Sequence, residues 1–242
     1  LARHHEHAVM VPPRRHRRDV APRVQDRIVR LRVVHGAAGV PSAARATDGE
    51  AHRIGCFRNG NHIAGVSGLA RKRSGLNRLE TPELTPHTGL LLAPVQSKGP
   101  AKAEAEQHRA CELLIDYLEK KYDQVFLVHP PAITDMRPFT WRNWDAQLRY
   151  TYQIDASDTE ALWDKIERRT RTVIRKAEKL GYALQPTDDV ALFRRLYEAL
   201  YNKQSGGAPV APDTAERFVA TVLKTGLGQA YKDNLGRTDI LD

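Results

Sequence analysis

The side chains with the clearest chemical meaning lie in one predicted helix, residues 158–180. Successive residues of an α-helix are rotated by about 100°, which here gathers the apolar residues on one side and the bases opposite them. The bases are Lys165, Arg168, Arg169, Arg171, Arg175, Lys176 and Lys179. Arginine offers a planar set of donors that matches the oxygens of a phosphate. The pattern therefore favours a surface that holds an anionic ligand.

Two other interpretations of this helix stay open. Ion pairs one turn apart would make it an ordinary solvated surface, and Glu167–Arg171 and Asp164–Arg168 have that spacing. The seven bases of residues 159–180 outnumber four acids, which weakens this interpretation. In the other interpretation the helix reads DNA, but it contains no Asn or Gln for base edges and follows no helix-turn-helix partner.

The surrounding sequence predicts the elements that position this helix. Ser157 and Glu160 have capping-box spacing at its start, and Gly181 suits the left-handed residue that ends a helix. Asn59–Gly60 between alternating apolar residues predicts a β-hairpin. Further strands are predicted at 89–92, 125–128, 148–154, 183–185 and 229–232, helices at 101–121, 190–203 and 214–224, and an irregular aromatic loop at 135–144.

The 242 residues carry a formal net charge of +9, and most of this positive charge lies in residues 1–53. This segment contains eleven Arg, no Lys, five acids, six of the ten His, and no Phe, Tyr or Trp. Such a composition buries too little apolar surface to fold, and only 27–34 is a candidate for a short strand or helical turn. The segment is either a disordered basic arm that touches nucleic acid or a non-native stretch, as a GC-rich gene yields when translated out of frame or upstream of its start.

The remaining composition is typical of a cytoplasmic protein. Cys56 and Cys111 are the only cysteines and have no metal-ligand spacing, which indicates a reducing compartment without a disulfide framework. The longest apolar run, residues 89–95, is too short to span a membrane. We therefore expect no metal site, no signal peptide and no membrane span.

Three segments carry a family resemblance. ERRTRTVIRKAEKLGYAL at 167–184 resembles the R-x-x-I-R-K-A helix of GNAT-fold acyltransferases related to the Fem-type peptidoglycan bridge-forming transferases. LTPHTGLLLAP at 84–94 is similar to the L-T-P-Y-T-G-L loop and strand of that group. ITDMRPFTWRNWDAQLRYTYQID at 133–155 is similar to its T-D-x-R-P-F-x-W-x-G-W segment and the strand that follows. The resemblance covers roughly residues 54–231, and His87 and Asn143 stand where the family often has Tyr and Gly.

The resemblance implies an α+β fold in which two GNAT-like halves lie in tandem, each a mixed, curved sheet flanked by helices. The first half would cover residues 54–149 and the second residues 150–242, with residues 1–53 outside both. A typical member of the family continues for about half a GNAT domain beyond the position of Asp242. The resemblance therefore implies a second half that is incomplete, and strands that complete catalysis would need are missing from it.

The resemblance also implies a bacterial enzyme that transfers an acyl or aminoacyl group from acyl-CoA or aminoacyl-tRNA to an amine. Either donor would be a co-substrate rather than a tightly bound cofactor, and tRNA would be the nucleic-acid partner. The residues that would hold an anionic donor or acceptor are Arg168, Arg171, Arg175, Lys176 and Tyr152. The catalytic residues, the acceptor and the oligomeric state are not assigned. The alternative is a non-catalytic basic module that binds nucleic acid or another polyanion.

A second group of candidates lies in the TDMRPF loop and just after it. Asp135 and Arg137 either pair with each other to fix the loop or take part in proton transfer or acceptor binding. Trp141 is either a ligand platform or a packing anchor, and the same choice applies to Trp144.

Other candidates are weaker. One of Tyr150 and Tyr152 is expected in the core and the other in a cleft between the halves. His87 and His129 have no acid, Ser or Cys partner at a suitable spacing, so a hydrolase triad is unsupported. The sequence also contains no glycine-rich phosphate loop and no Q/R-x-x-G-x-G/A donor loop of ordinary GNAT enzymes.

Overall fold

The structure is a computed structural model that describes residues 3–11, 29–33, 49–94, 99–204 and 206–233. The chain divides into two compact units, residues 5–151 and residues 152–242, the latter together with residues 1–4. The sequence places its boundary between Arg149 and Tyr150, two residues before the one in the structure. Two strands of the first unit, Arg3–Val11 and Asp145–Gln153, extend two residues across this boundary.

The first unit is built on a sheet of eight strands among the described residues. These are β1 (Arg3–Val11), β2 (Val29–Val33), β3 (Glu50–Arg58), β4 (Asn61–Arg73), β5 (Leu76–Glu80), β6 (Gly89–Leu92), β7 (Gln124–Val128) and β8 (Asp145–Gln153). Their order is β2-β3-β4-β5-β7-β1-β8, and β6 pairs with β4. Strands β5 and β7 run parallel, whereas β3–β4, β4–β5, β4–β6 and β1–β7 are antiparallel, so the sheet is mixed.

The hairpin predicted at Asn59–Gly60 is confirmed as the turn between β3 and β4. Asn59 has φ +52° and Gly60 has φ +84°, the pair of left-handed residues that suits a tight turn between twisted strands. The register places Ile54 opposite Val66 on adjacent strands, and both side chains are buried. The alternation of apolar residues thus directs one face of the hairpin into the core.

One long helix, α1 (Pro100–Lys121), covers the core face of this sheet and confirms the helix predicted at 101–121. Proline suits its first turn because the backbone N–H there has no intrahelical partner. The buried stripe consists of Ala110, Cys111, Leu114, Ile115 and Leu118. Burying a Leu or Ile side chain contributes about 1.5–3 kcal/mol, so this stripe fixes the rotation of the helix about its axis.

Two strands of the sheet are absent from the sequence prediction. Strand β5 is missed because its residues, LNRLE, are mostly polar, although Ser74 and Gly75 form a second left-handed turn with φ +50° and +78°. Strand β1 lies in the segment expected to be disordered or non-native; a strand at Arg3–Val11 differs from disorder there, and the non-native origin of the segment stays a prediction. Strand β2 falls within the predicted element at 27–34. Residues 1–2, 12–28 and 34–48 of the predicted arm lie outside the described residues, and its last four residues, 50–53, belong to β3.

A four-residue helix, α2 (Arg137–Thr140), interrupts the predicted irregular loop at 135–144. It presents Phe139 to the core, where the ring contacts His129 and Trp144 at centroid distances of 5.5 Å each. Helix α1 also packs against α2. The loop is therefore an ordered part of the first unit.

The second unit contains four helices and a two-stranded sheet among the described residues. The elements are α3 (Thr159–Lys165), α4 (Arg168–Lys179), β9 (Leu184–Thr187), α5 (Val190–Asn202), α6 (Pro212–Lys224) and β10 (Ala230–Asp233). Strands β9 and β10 are antiparallel. Arg194 on α5 joins the two last helices through Asp213 at 2.7 Å and Glu216 at 2.6 Å on α6.

The continuous helix predicted over residues 158–180 is wrong, because the backbone leaves the helical conformation at Ile166 and Glu167 with ψ of 136° and 143°. Periodicity reports side-chain type rather than backbone angles, so it does not detect this break. The predicted cap is also corrected: Asp158 accepts a hydrogen bond from the Ala161 N–H at 2.9 Å. The hydroxyl of Ser157 donates to Asp155 instead.

The helix end at Gly181 is confirmed, since this residue follows α4 with φ +75°. The fold is therefore α+β, with a mixed sheet and flanking helices. Within the described ranges no helix combines the length and apolar character that crossing a bilayer requires.

We predict that Gly89→Ala destabilises the first unit by about 2–4 kcal/mol, because backbone strain and a steric clash both raise the free energy of the folded state. Gly89 has φ +79°, and a methyl group there would lie 2.5 Å from Nδ1 of the buried His129. Gly60→Ala is the matched control, since Gly60 has φ +84° but open space around it, and should cost about 1 kcal/mol. Urea denaturation measures both free energies of unfolding, and equal losses would contradict the steric part.

Candidate functional site

The segment 84–94 and the loop after β7 meet at the buried residue His129. Its Nδ1 accepts a hydrogen bond from the Leu90 N–H at 2.9 Å, so the ring fills the space that Gly89 leaves. Burial lowers the pKa of His129 to about 4, so the imidazole is neutral near pH 7. His129 therefore stabilises the junction between β6 and β7.

Two threonines strengthen the same junction. The hydroxyl oxygens of Thr81 and Thr88 are 2.8 Å apart, and Thr81 Oγ1 accepts a hydrogen bond from the Val128 N–H. The Thr88 N–H in turn donates to the carbonyl oxygen of Val128. These bonds fix the point from which the chain leaves the sheet toward the TDMRPF loop.

The predicted pair of Asp135 and Arg137 is present in the structure. Asp135 Oδ1 accepts from Nε of Arg137 at 2.9 Å, and Oδ2 accepts from Nη2 at 2.7 Å, a bidentate arrangement. The backbone N–H of Arg137 also donates to Oδ1 at 3.0 Å. The loop is thus held by its own acid and base.

Asp135 has a second partner that sequence reasoning missed. Nε2 of His108, on α1, lies 2.6 Å from Oδ2 of Asp135. Glu104, one helical turn before His108, is in contact with Nη2 of Arg137. We call these four residues the 104–108–135–137 cluster. The sequence feature that could have indicated part of this cluster is the spacing of four residues between Glu104 and His108, which places both on one side of a helix.

The charges of this cluster compensate one another. The hydrogen bonds from Arg137 and His108 hold the pKa of Asp135 well below its usual range, even though partial burial raises it. Asp135 and Glu104 raise the pKa of Arg137. The carboxylate of Asp135 and the guanidinium of Arg137 are therefore both charged near neutral pH.

An exposed tryptophan borders the cluster. Trp141 is 64% exposed, its ring is nearly perpendicular to that of His108 at 5.6 Å, and the guanidinium of Arg137 lies 5.9 Å from its centre. Trp141 is therefore not a core anchor. Trp144 is one, since it is buried and its Nε1–H donates to Glu119 at 2.9 Å.

Three side chains of the cluster carry metal-ligand chemistry, although the sequence predicted no metal site. Glu104, His108 and Asp135 bring one ligand atom each to within 4.8 Å of one another. However, the cation between the two carboxylates is the guanidinium of Arg137, and Nε2 of His108 is engaged by Asp135. We therefore interpret the cluster as a hydrogen-bonded ion network rather than a metal centre.

The basic side chains predicted to bind an anion lie on α3 and α4 of the second unit. Arg168, Arg175 and Lys176 are exposed, and Arg171 is half-buried. Neither Glu167–Arg171 nor Asp164–Arg168 forms an ion pair, and none of the seven bases has an acidic partner among the described residues. The ion pairs that this interpretation needs are therefore not formed in the structure, whereas the solvent exposure that it expects is present.

Arg175 has an aromatic neighbour within the same unit. Its guanidinium lies 5.5 Å from the ring centre of Trp163 on α3, across the break at 166–167. This contact leaves the hydrogen-bond donors of the guanidinium available, since the ring attracts only its charge. Helix α4 carries six of the seven bases, and α3 carries Lys165. We call these seven residues, Lys165, Arg168, Arg169, Arg171, Arg175, Lys176 and Lys179, the α3–α4 surface.

The expectation that one of Tyr150 and Tyr152 is in the core is wrong. Tyr150 is 64% and Tyr152 is 67% exposed. Residues two apart in a strand point to the same face, so both tyrosines share the exposed side of β8. Tyr152 begins the second unit, and the 104–108–135–137 cluster belongs to the first.

No protein-family model matches the chain, and comparisons with curated proteins and with solved structures also return no match. A functional proposal for this chain therefore depends on the 104–108–135–137 cluster and the α3–α4 surface. Of the predicted candidates, the structure brings Asp135, Arg137 and Trp141 together in one group, and the four predicted bases lie on one helix, α4.

We predict that the first unit loses stability as the pH falls from about 6.5 to about 4, the two pKa values of His129 in the unfolded and folded chain. The unfolded chain binds the proton more readily in this window, so protonation favours unfolding. The loss from this residue should reach about 2–3 kcal/mol at pH 4.5.

His129→Asn tests this prediction, because its Oδ1 can accept the Leu90 N–H without titrating. The variant is expected to be less stable at pH 7.5 but to show a smaller further loss on acidification than the unsubstituted chain. Urea denaturation at pH 7.5, 5.5 and 4.5 measures the difference. If acidification lowered the free energy of unfolding equally in the two proteins, His129 would not be buried in its neutral form.

Proposed function

We propose that the chain is an N-acyltransferase of the GNAT and Fem-related type, which moves an acyl or aminoacyl group from acyl-CoA or aminoacyl-tRNA to an amine. The observation that carries the proposal is the α3–α4 surface, on which seven bases have no acidic partner among the described residues. Closely spaced cations repel one another, so an anion that lies between them is attracted electrostatically by each of them.

Both donors carry phosphate: acyl-CoA carries it in its nucleotide, beyond the pantetheine arm, and aminoacyl-tRNA carries it along its backbone. Arg171 and Arg175 are four residues apart on α4 and Arg168 is three before Arg171, so the three lie along one side of the helix. A guanidinium can bind a phosphate through two parallel hydrogen bonds. Lys176 would add a fourth charge next to Arg175. In this proposal these residues hold the anionic part of the donor or acceptor.

Acyl transfer to an amine has three requirements that the protein must meet. The amine must be aligned with the carbonyl, it must lose a proton, and the oxyanion of the tetrahedral intermediate must be stabilised. Tightly bound cofactors are not required, because the donor brings its own activated carbonyl. The resemblance of residues 84–94 and 133–155 to the transferase segments supports this reaction class, and both segments contact His129, through Leu90 and Phe139.

The second candidate function is a non-catalytic module that binds nucleic acid or another polyanion through the same α3–α4 surface. The absence of acidic partners around the bases of this surface, within the part of the chain that the structure describes, favours it equally. Phosphate contacts alone would give affinity that falls steeply with salt and has little sequence preference.

Assays of acyl transfer separate the two functions. The full chain is incubated with acetyl-CoA or with aminoacyl-tRNA and a set of primary amines, and amide formation and donor consumption are followed by mass spectrometry. Formation of an amide excludes the non-catalytic module. Salt-sensitive binding of RNA without any amide product would instead overturn the transferase proposal.

We predict that the double variant Arg171→Ala, Arg175→Ala weakens binding of the anionic substrate by about tenfold or more, because each charge-assisted hydrogen bond contributes about 1.5–3 kcal/mol. The matched control is Lys102→Ala, Lys120→Ala, which removes two exposed charges from α1 in the other unit. Fluorescence anisotropy or the donor KM measures the effect.

Folding should survive in the double variant, with a loss of at most about 1 kcal/mol from the Arg175–Trp163 contact. Thermal unfolding followed by circular dichroism provides this check. Equal weakening of binding in the variant and in its control would show that overall charge, not the α3–α4 surface, attracts the ligand.

A further inference from the structure

His108 is held so that one ring nitrogen is engaged and the other is open. The carboxylate of Asp135 can only accept a hydrogen bond, so the proton between them belongs to Nε2 of His108 at 2.6 Å. In the neutral imidazole the other nitrogen, Nδ1, then carries a lone pair and no proton. The ring is therefore fixed in the tautomer that can take a proton at Nδ1.

Nδ1 has no hydrogen-bond partner among the residues that the structure describes, since the contacts of His108 are with Asp135 and Trp141. Nδ1 is not fully buried either: it is not among the fully buried side-chain nitrogens without a partner in those ranges, and the His108 side chain is 18% exposed. An accessible lone pair on a ring whose orientation is fixed is the arrangement that a general base requires.

The neighbours of His108 from each adjoining element keep the ring in place. Asp135 is itself oriented by two nitrogens of Arg137, and Glu104 contacts the same guanidinium from α1. The ring of Trp141 meets the imidazole edge-on at an interplanar angle of 82°. A base oriented by an acid, which is oriented in turn by a third group, recurs in enzymes that activate a nucleophile.

We propose that His108 is the proton acceptor for the amine in the transfer reaction, with Asp135 as its positioning residue. This inference rests on the proposed transferase function. The amine nitrogen attacks the carbonyl carbon of the thioester or ester, forming the C–N bond, and its proton passes to Nδ1 of His108. Collapse of the tetrahedral intermediate breaks the C–S or C–O bond, and the leaving thiolate or alkoxide takes a proton from the imidazolium. The products are an amide and a free thiol or hydroxyl.

A divalent metal ion is the competing occupant of the same cluster. It would have to remove the proton from Nε2 of His108 and displace Arg137 from both carboxylates. The two assignments differ in a measurable way, because a metal ion bound through Nε2 would occupy the nitrogen that the proton-acceptor role keeps protonated.

The first experiment determines the tautomer of His108 by ¹⁵N NMR in the absence of substrate. The full chain is labelled with ¹⁵N-histidine, and the His108 resonances are assigned by their loss in His108→Gln. At pH 8 we expect Nε2 to be protonated and Nδ1 to be unprotonated, with a mixture of tautomers in Asp135→Asn. A protonated Nδ1, or saturation of Nε2 by micromolar Zn²⁺, would overturn the inference.

The second experiment measures transfer to a primary amine as a function of pH. We expect His108→Gln to lower kcat/KM about a hundredfold at neutral pH, with the donor KM unchanged, because general-base catalysis contributes about 10²–10⁴. The residual rate should rise with pH as free amine accumulates, whereas Asp135→Asn should give a smaller loss. His62→Gln is the matched control, because His62 is an exposed histidine of β4 outside the cluster.

The outcomes distinguish this inference from the function on which it rests. If the unsubstituted chain transfers acyl groups and His108→Gln matches it in rate and pH profile, His108 is not the proton acceptor and the transferase proposal stands. If the unsubstituted chain forms no amide with either donor, both proposals fall together.

Discussion

The burial of one apolar stripe of α1 against the mixed sheet is the constraint on which the first unit depends. Leu114, Ile115 and Leu118 are almost fully buried and meet side chains of β3, β4, β6 and β7. A helix pinned along one side has only one way to present the other residues of its surface. Glu104 and His108 therefore occupy definite positions, which a solvated helix would not provide.

A second junction directs the loop toward those positions. His129 replaces the side chain that Gly89 lacks, and Phe139 of α2 packs on the imidazole. Because β6 and β7 are joined at this ring, the chain that leaves β7 passes beside α1. Asp135 and Arg137 then complete the 104–108–135–137 cluster through bonds of 2.6–3.0 Å. The polar cluster is thus a consequence of apolar packing on both of its sides.

The second unit is organised differently. Among the described residues only Ala215 is an apolar side chain buried there, whereas Val173, Leu180 and Leu184 are exposed. Its helices α5 and α6 are joined by a charged network around Arg194. Tyr197 of α5 also donates a hydrogen bond to the carbonyl of Val210, two residues before α6. The α3–α4 surface owes its character to local sequence, since its bases need only a helix and no partner to be displayed together.

Local pattern was enough to predict much of this protein. The Asn59–Gly60 turn, helix α1, strands β6 and β7 and helices α5 and α6 follow from turn chemistry and periodicity in neighbouring residues. The sequence by itself also determined the excess of bases on α4, and it offered the pairing of Asp135 with Arg137, two residues apart, as one of two roles for these residues. Only the tertiary structure decided that Asp135 meets His108, 27 residues earlier, and that Trp141 is exposed while Trp144 is buried. The reason is physical: a hydrogen bond between distant residues depends on how a sheet and a helix pack, and no spacing along the chain encodes that distance.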